Sequence, residues 1–460
     1  MTAGLTTAAN PPLFADLGLS QQLLAAVHDM GFTTPTPVQA KAIPAGLRGA
    51  DILACAMTGS GKTAAFLLPI LDRLRQQPRG RTRALILSPT RELAVQIHQH
   101  FTELARHTGV KGAAVYGGVG MKPQEDALRR GFDVIVATPG RLLDHMQYDY
   151  AKLADVDVLV LDEADRMLDM GFLPDIRRVL RQLPTGKRQT MLFSATLPAP
   201  IVQLARELLH EPVRVDVERK QAPAHGITQA LYPVPATLKV TLLIALLERG
   251  EIGNAIIFCR TKHRANRLAD KLVKHGLSTA RIHGNRSQSQ RTDALAGFKQ
   301  GRYRVLVATD IVARGIDVEA LEHVVNFDVP AAADDYIHRV GRTARAGAVG
   351  DAYTLVSPDE EGDVRNIERA VGHRIERRKL DGFDYHAREA ERFEVPIGER
   401  IAEIRARKAE ERVRARANAE RRAQAPAARK AGGAEVSSGG AGNRRPRGRS
   451  GRNNGNQRTG

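Results

Sequence analysis

The chain of 460 residues carries 69 Lys and Arg against 51 Asp and Glu, a formal net charge of +18 with a sequence pI near 10.2. That length holds roughly two to four domains, each able to bury its own core, and the basic surplus suits either a polyanionic partner or a solvated charged surface. The two cysteines, Cys55 and Cys259, make neither a disulfide framework nor a zinc cluster, and no apolar run approaches the ~18 residues of a membrane span.

Residues 1–12 are small and polar, end in Pro11 and Pro12, and read as disordered. Residues 1–10 lack the basic and apolar stretches of an export signal, so a cytoplasmic protein without a membrane partner is expected. Residues 14–30 read as a loop and an amphipathic helix, with Leu19, Leu23, Leu24 and Val27 on one face and Gly31 at its end. Pro35 to Gln39 follow, with Gln39 opening a helix to residue 47. Apolar runs then alternate with helical segments at 52–55, 84–88, 134–138, 158–162 and 191–196. They are rich in Val, Ile and Leu and do not alternate with polar residues, the pattern of parallel strands buried on both faces. Residues 13–212 therefore read as a doubly wound α/β domain.

Periodicity is lost over 213–226, which reads as a linker. The rhythm resumes with runs at 255–259, 279–283, 305–309, 323–327 and 352–356, a second α/β domain spanning 227–378. Residues 379–460 change character. Pairs such as Glu403/Arg407 and Glu410/Arg414 suit a helix over 399–422. From residue 436 the chain is Gly, Ser, Asn and Arg without an acid, a disordered basic tail. Residues 387–460 hold 19 Lys and Arg against 9 Asp and Glu, so both parts of the chain are basic.

The first strand, 52–55, runs into Ala-Met-Thr-Gly-Ser-Gly-Lys-Thr at 56–63 and then into a good helix former. Strand, Gly-containing loop and helix form the setting of a phosphate-binding loop. Thr58, Gly59, Ser60 and Gly61 would turn backbone N–H groups toward an anion at a helix N-terminus, Lys62 would reach the terminal phosphates, and Thr63 would ligate Mg²⁺. Ala56 stands where that pattern lists a glycine, so the loop alone also admits an ordinary Gly-rich turn. The run 158–161 ends in Asp162-Glu163-Ala164-Asp165. A carboxylate there sits at the carboxyl end of a parallel strand, where open α/β sheets bind ligands. Asp162 can share the Mg²⁺ with Thr63, and Glu163 can orient or deprotonate an attacking water.

With these two motifs the chain resembles a DEAD-box ATP-dependent RNA helicase of superfamily 2 over roughly residues 14–378. The resemblance rests on motifs in one order: Gly31-Phe32 with 35–39; 56–63; Pro89-Thr90-Arg91-Glu92-Leu93-Ala94; Gly117-Gly118; Thr138-Pro139-Gly140-Arg141; 162–165; Ser194-Ala195-Thr196; Ile257-Phe258-Cys259; Gln288-Ser289-Gln290-Arg291; Thr309-Asp310 with 313–317; and 338–345. That family commonly has Ala at the first loop position. The stretch 167–180 and the basic tail look most like the bacterial RhlE-type subgroup.

The resemblance implies two tandem RecA-like domains, with ATP and Mg²⁺ in the cleft and RNA bound across both by backbone contacts. It implies that Gln39 reads the adenine edge, Phe14 stacks on the ring and Asp317 holds the ribose. Arg342 and Arg345 would act as arginine fingers on the γ-phosphate, with Lys62, Asp162 and Glu163 completing the catalytic set. Asp165, Ser194, Thr196 and His338 would couple the domains. RNA contacts are implied for Thr90, Arg91, Gly118, Thr138 and Arg141 in the first domain and Gln288, Arg291, Thr309 and Arg314 in the second. Taken singly, the arginines of 339–345 read as a solvated basic helix and His338 as a core histidine. The expected activity is RNA-stimulated ATP hydrolysis coupled to local unwinding, in settings such as ribosomal precursors or RNA-decay complexes and with no metal beyond Mg²⁺. The rival readings are an ATP-dependent RNA clamp or annealing factor, a DNA translocase, and an RNA-binding scaffold with a vestigial ATPase.

Overall fold

The computed structural model of the chain describes residues 12–57, 59–184, 186, 188–217, 226–310, 321–343 and 349–387. They lie within one compact unit, residues 1–389, and build two seven-stranded sheets. The first half runs as a 3-10 turn Phe14–Leu17, then α1 (Gln21–Asp29), α2 (Pro37–Leu47), β1 (Ile52–Cys55), α3 (Lys62–Leu74), β2 (Ala84–Leu87), α4 (Arg91–Leu104), β3 (Gly112–Val115), α5 (Lys122–Arg129), β4 (Val134–Ala137), α6 (Pro139–Met146), β5 (Val158–Leu161), α7 (Ala164–Asp169), α8 (Leu173–Leu180), β6 (Gln189–Ser194), α9 (Ala199–Leu208) and β7 (Val213–Asp216). The second runs β8 (Ile227–Pro233), α10 (Lys239–Glu248), β9 (Ala255–Phe258), α11 (Lys262–Lys274), β10 (Thr279–Ile282), α12 (Gln288–Lys299), β11 (Val305–Ala308), β12 (His323–Asn326), α13 (Ala333–Val340), β13 (Gly350–Val356), α14 (Glu361–Val371) and β14 (Glu376–Arg377).

The strand order is β3-β4-β2-β5-β6-β1-β7 in the first sheet and β10-β11-β9-β12-β13-β8-β14 in the second. Adding seven to each strand number converts one order into the other, so the halves share one topology. Every pairing is parallel. The unbroken apolar strands explain why. In β2, Ala84 and Ile86 face one core while Leu85 and Leu87 face the other, and β4 and β5 repeat the division. A strand buried on both faces has no polar side to show water. Helices cover both faces closely. A Cβ on Gly46 of α2 would lie 2.8 Å from Pro69 of α3, so only glycine fits there.

Two boundaries differ from the sequence reading. Residues 213–216, expected to open the linker, form β7 on the edge of the first sheet, paired with β1; alternation of Val213 and Val215 with Arg214 and Asp216 suits a strand with one exposed side. Residues 379–387, expected in the C-terminal extension, pack on the second half: Leu380 is buried, and its N–H donates to the Tyr385 hydroxyl at 2.8 Å. The central linker residues 218–225, the expected disorder at 1–11, the helix expected over 399–422 and the basic tail lie outside the described residues. Among the described residues no helix is long and apolar enough to cross a membrane.

Candidate nucleotide site and interface between the halves

The carboxyl ends of β5, β6 and β1 lie side by side in the first sheet, and each contributes polar groups. After β1 the chain turns through Gly59 and Gly61 at φ of 82° and 91°, a region that glycine enters without strain. Helix α3 then starts at Lys62, whose Nζ donates to the Ala56 carbonyl at 3.0 Å and is buried. A curled loop at a helix N-terminus with a buried ammonium is an anion cradle. The Ser60 hydroxyl donates to the Met57 carbonyl at 2.7 Å. Thr63 is half-buried at the first turn. Thr58 lies outside the described residues.

Gln39, expected at the nucleobase, has its carboxamide engaged with protein. Its Nε2 donates to the Gly61 carbonyl at 3.1 Å and its Oε1 accepts the Thr36 N–H at 2.9 Å. It clamps the start of α2 to the phosphate-loop glycine, and a Cβ on Gly61 would lie 2.5 Å from Nε2. Phe14, expected to stack on the base, is buried with its ring stacked on Phe32 at 6.4 Å between centroids.

After β5, Asp162 is 2% exposed and its carboxylate accepts the Glu163 N–H at 3.0 Å. Burial pushes its carboxyl up to about 7, with the Lys62 ammonium opposing. A desolvated carboxylate and the Thr63 hydroxyl are hard-oxygen donors of the kind that suits Mg²⁺, with phosphate and water supplying the rest. No group of three or more His, Cys, Asp or Glu able to hold a metal occurs among the described residues. Glu163 is buried at φ 50°, ψ 54°, left-handed for a residue with a Cβ. Such a conformation costs about 1–3 kcal/mol and persists where the surroundings over-determine it.

Asp165 ties these ends to β6. Its Oδ2 accepts the Ala195 N–H at 3.1 Å, the Thr196 N–H at 2.8 Å and the Thr196 hydroxyl at 3.0 Å. The Ser194 hydroxyl accepts the Asp165 N–H at 3.1 Å and donates to the Thr196 carbonyl at 2.6 Å. The expected bonds from Ser194 and Thr196 to the acidic segment are therefore present. Next in sequence, the Arg166 guanidinium reaches the second half and donates to the Asp310 carbonyl at 3.3 Å.

The residues expected at RNA in the first half gather at the ends of β3, β4 and β2, three neighbours in the sheet. The Thr90 hydroxyl caps α4 by accepting the Leu93 N–H at 3.2 Å. The Arg91 guanidinium lies on the 117–118 turn, where a Cβ on Gly118 would come within 2.1 Å of it; Gly118 has φ 86°. Arg141 Nη1 donates to the Val119 carbonyl at 3.0 Å, and Thr138 is buried at the start of α6.

In the second half, Gln288 and Arg291 open α12 but are buried against the first half. Gln288 Nε2 donates to Glu92 Oε1 at 3.1 Å, and Arg291 Nη2 lies 2.7 Å from Glu92 Oε2. Thr309 directly follows β11 and is buried. Helix α13 is held by Arg339. That guanidinium is bidentate to Asp310 at 2.6 and 2.8 Å and also donates to Asn326 Oδ1 at 3.1 Å and the Asp328 carbonyl at 2.8 Å. His338 sits on the same helix and Arg342 just past its end, buried. Arg314, Asp317 and Arg345 lie outside the described residues.

The DEAD/DEAH box helicase profile matches residues 36–204, and the helicase conserved C-terminal domain profile matches 238–347. The DEAD-box ATP-dependent RNA helicase CshA of Geobacillus kaustophilus is 42% identical over 371 residues, 81% of this chain and 79% of that protein. The chain belongs to the DEAD-box helicase family. The family member RhpA of Helicobacter pylori is 40% identical over 365 residues, 79% of this chain and 74% of that protein. Among solved structures, S. cerevisiae Dbp5 bound to RNA and ADP BeF3 superposes with a TM-score of 0.73 at 32% identity, covering 80% of this chain and 95% of that one. Mss116p bound to ssRNA and AMP-PNP gives 0.74 at 29% identity, covering 82% and 81%.

Three features of this DEAD-box chain escaped the sequence. Glu92 lay inside a quoted motif, but an acid in a first helical turn is already explained by the helix dipole. Asp310 lay in another, and its partner Arg339 reads singly as a surface cation. Phe32 follows Gly31 in the first motif without any signal that Phe14 would cover it.

Proposed function

We propose that this DEAD-box chain is an ATP-dependent RNA helicase that couples RNA-stimulated ATP hydrolysis to closure of its two halves and to local, sequence-independent separation of short duplexes. The observation that carries the reading is the Glu92 carboxylate, which joins Gln288 and Arg291 across the halves one residue from Arg91. Residues expected at RNA, and Glu92 beside one of them, thus take part in holding the halves together. RNA occupying that face can then govern whether second-half cations reach the nucleotide.

In this reading the 59–61 backbone, Lys62 and α3 bind the β- and γ-phosphates. Thr63 and Asp162 hold Mg²⁺, which supplies positive charge against the phosphate oxygens. Glu163 takes a proton from the attacking water, and its strained backbone fixes its aim. Arg342, with Arg345, stabilises charge spread over the γ-phosphoryl oxygens. Asp165, with Ser194 and Thr196, passes the state of the phosphate site along the edge of β6, and Arg166 passes it to the second half. Gln39 links base recognition to the phosphate loop through its bond to Gly61, with Phe14 and Asp317 toward the base and ribose. Thr90, Arg91, Gly118, Thr138 and Arg141, with Thr309 and Arg314, grip phosphates without reading sequence. The stretch 167–180 and the basic tail support placement in the RhlE-type subgroup.

The test is ATP hydrolysis titrated with RNA and with DNA of the same sequence, alongside strand separation of a short duplex. RNA-selective stimulation with ATP-dependent separation is expected. Equal stimulation by DNA would point to a translocase, and RNA stimulation without separation to a clamp or annealing factor.

A further inference from the structure

The shared topology pairs each strand end of the first half with one in the second. The ends of β5, β6 and β1, which carry Asp162, Ser194 and the phosphate loop, correspond to those of β12, β13 and β8. Lys62 is the first residue of the α-helix after β1, and Lys239 is the first residue of the α-helix after β8, entered through the 3-10 turn Ala236–Leu238. The second half thus has a lysine where the phosphate-loop lysine stands in the first.

That lysine already has an anion. Lys239 is 1% exposed; its Nζ donates to the Phe327 carbonyl at 3.0 Å and to the Glu360 carboxylate. Glu360 Oε2 also accepts the Ser357 N–H at 3.1 Å and the Ser357 hydroxyl at 2.8 Å. Its Oε1 accepts the Val329 N–H at 3.2 Å and Arg260 Nη2 at 3.4 Å. An ammonium, two backbone N–H groups, a hydroxyl and a guanidinium around one pair of oxygens make an anion site. A capping box at the 3-10 turn Pro358–Glu360 accounts for the Ser357 bonds. It does not account for Lys239, Arg260 or Val329.

The filled site grips the turn 327–329. Between Phe327 and Val329 lies Asp328, whose carbonyl accepts Arg339 and whose carboxylate accepts the Arg260 N–H at 2.7 Å and Arg264 Nε at 3.0 Å. Arg339 in turn anchors α13, and Arg342 follows that helix. We propose that Glu360 is a built-in anion occupying the second half's counterpart of the phosphate site, and that with Lys239 it positions α13 and Arg342 for the reaction. Its catalytic part rests on the function proposed above; its anion part does not.

Replacing Glu360 by Ala removes a fragment with the carbon and oxygen count of acetate, and Arg260, with its side chain 53% exposed, borders the path from solvent. In the full chain, without ATP or RNA, Glu360→Ala should lower Tm by about 10 °C. Sodium acetate should recover part of that loss, sodium chloride at equal ionic strength should not, and the unaltered protein should respond equally to both. Equal responses of the variant to the two salts would overturn the built-in anion. Should Glu360→Ala not fold, a cycle of Lys239→Met and Glu360→Met decides: the double variant should be more stable than either single one, and additive losses would overturn the pairing. For positioning, Glu360→Gln should lower kcat of RNA-stimulated hydrolysis by about 10–100-fold with KM for ATP little changed. A change in KM alone would overturn that part. Acetate recovery with no ATPase activity in the unaltered protein would sink the proposed function and leave the anion site standing.

Discussion

The two halves fold by one plan and differ in where their polar side chains are spent. In the first, the carboxyl edge keeps a glycine-turned loop, a carboxylate raised to about 7 by burial and a left-handed Glu163. Groups held at a cost in strain and desolvation are characteristic of a surface shaped for a ligand. In the second, the matching edge is bonded internally, with Arg339 making four hydrogen bonds and Lys239 meeting Glu360. Under the proposed function, one plan thus gives a half that binds and a half that presents. A sheet topology sets where a site lies, and the residues at the strand ends set whether it is left open.

The sharpest way to break that contrast is to take the presented cation away. Arg342→Ala should lower RNA-stimulated kcat by about 10³-fold or more, and Arg342→Lys should not restore it, because a point charge lacks the planar fork. Glu163→Gln, on the binding half, should lower kcat by about 10²–10⁴-fold while ATP and RNA binding are retained. Single-turnover kinetics with separate binding titrations measure both. Near-normal turnover of the Arg342 variant would remove Arg342 from the reaction and leave Arg345 as the cation to replace.

How much of this was legible follows from where each strand lies. The central strands β2, β4 and β5 are unbroken apolar runs of Val, Ile, Leu and Ala, and that composition declares burial on both faces. Strands β3, β7 and β14 lie at sheet edges, where one side meets water and an apolar run is not required. Gly112–Val115 is small and half-buried, and β14 is Glu376–Arg377, so neither gives a strand signal. Strand β8 was masked by Gln229 and by Pro233 at its end. The phosphate loop and the acidic segment were legible because their chemistry is local in sequence. Contacts between distant segments were not: Gln288 meets Glu92 from 196 residues away, and nothing local in either segment points to the other.

A middle-sized effect should come from that contact. Glu92→Ala leaves the Arg291 guanidinium buried without its carboxylate, the arrangement that makes breaking a buried pair costly. Burial already pushes Arg291 downward, with Glu92 opposing. The RNA concentration for half-maximal ATPase stimulation should rise about tenfold or more, and Glu92→Gln, which keeps an acceptor for Gln288, should fall between. An unchanged RNA dependence in a folded Glu92→Ala protein would show that the halves communicate elsewhere, through Arg166 and Asp310 for example.

The smallest effect separates the halves by acid. Residue 283 follows β10 as Tyr116 follows the matching strand β3, so the same position holds a histidine in one half and a phenol in the other. His283 is buried, with Nε2 2.9 Å from Asn266 Oδ1 and Nδ1 accepting the Asn285 N–H at 3.3 Å. That network leaves no room for a second ring proton. Burial lowers its pKa to about 4, and Arg286, Arg281, Lys262 and His263 push the same way. Unfolded, the ring takes up a proton near pH ~6.5 that the folded chain refuses until about 4. The stabilising difference is therefore complete above ~6.5 and lost as pH falls toward 4. Tyr116 stays neutral throughout, since burial raises its phenol further above this range. His283→Gln should flatten the fall of Tm across this window by about 3 °C, while Tyr116→Phe should leave the slope as it was. Equal slopes in all three proteins would mean that the acid response of the second half comes from other groups, with His323, also lowered by burial, the next to replace.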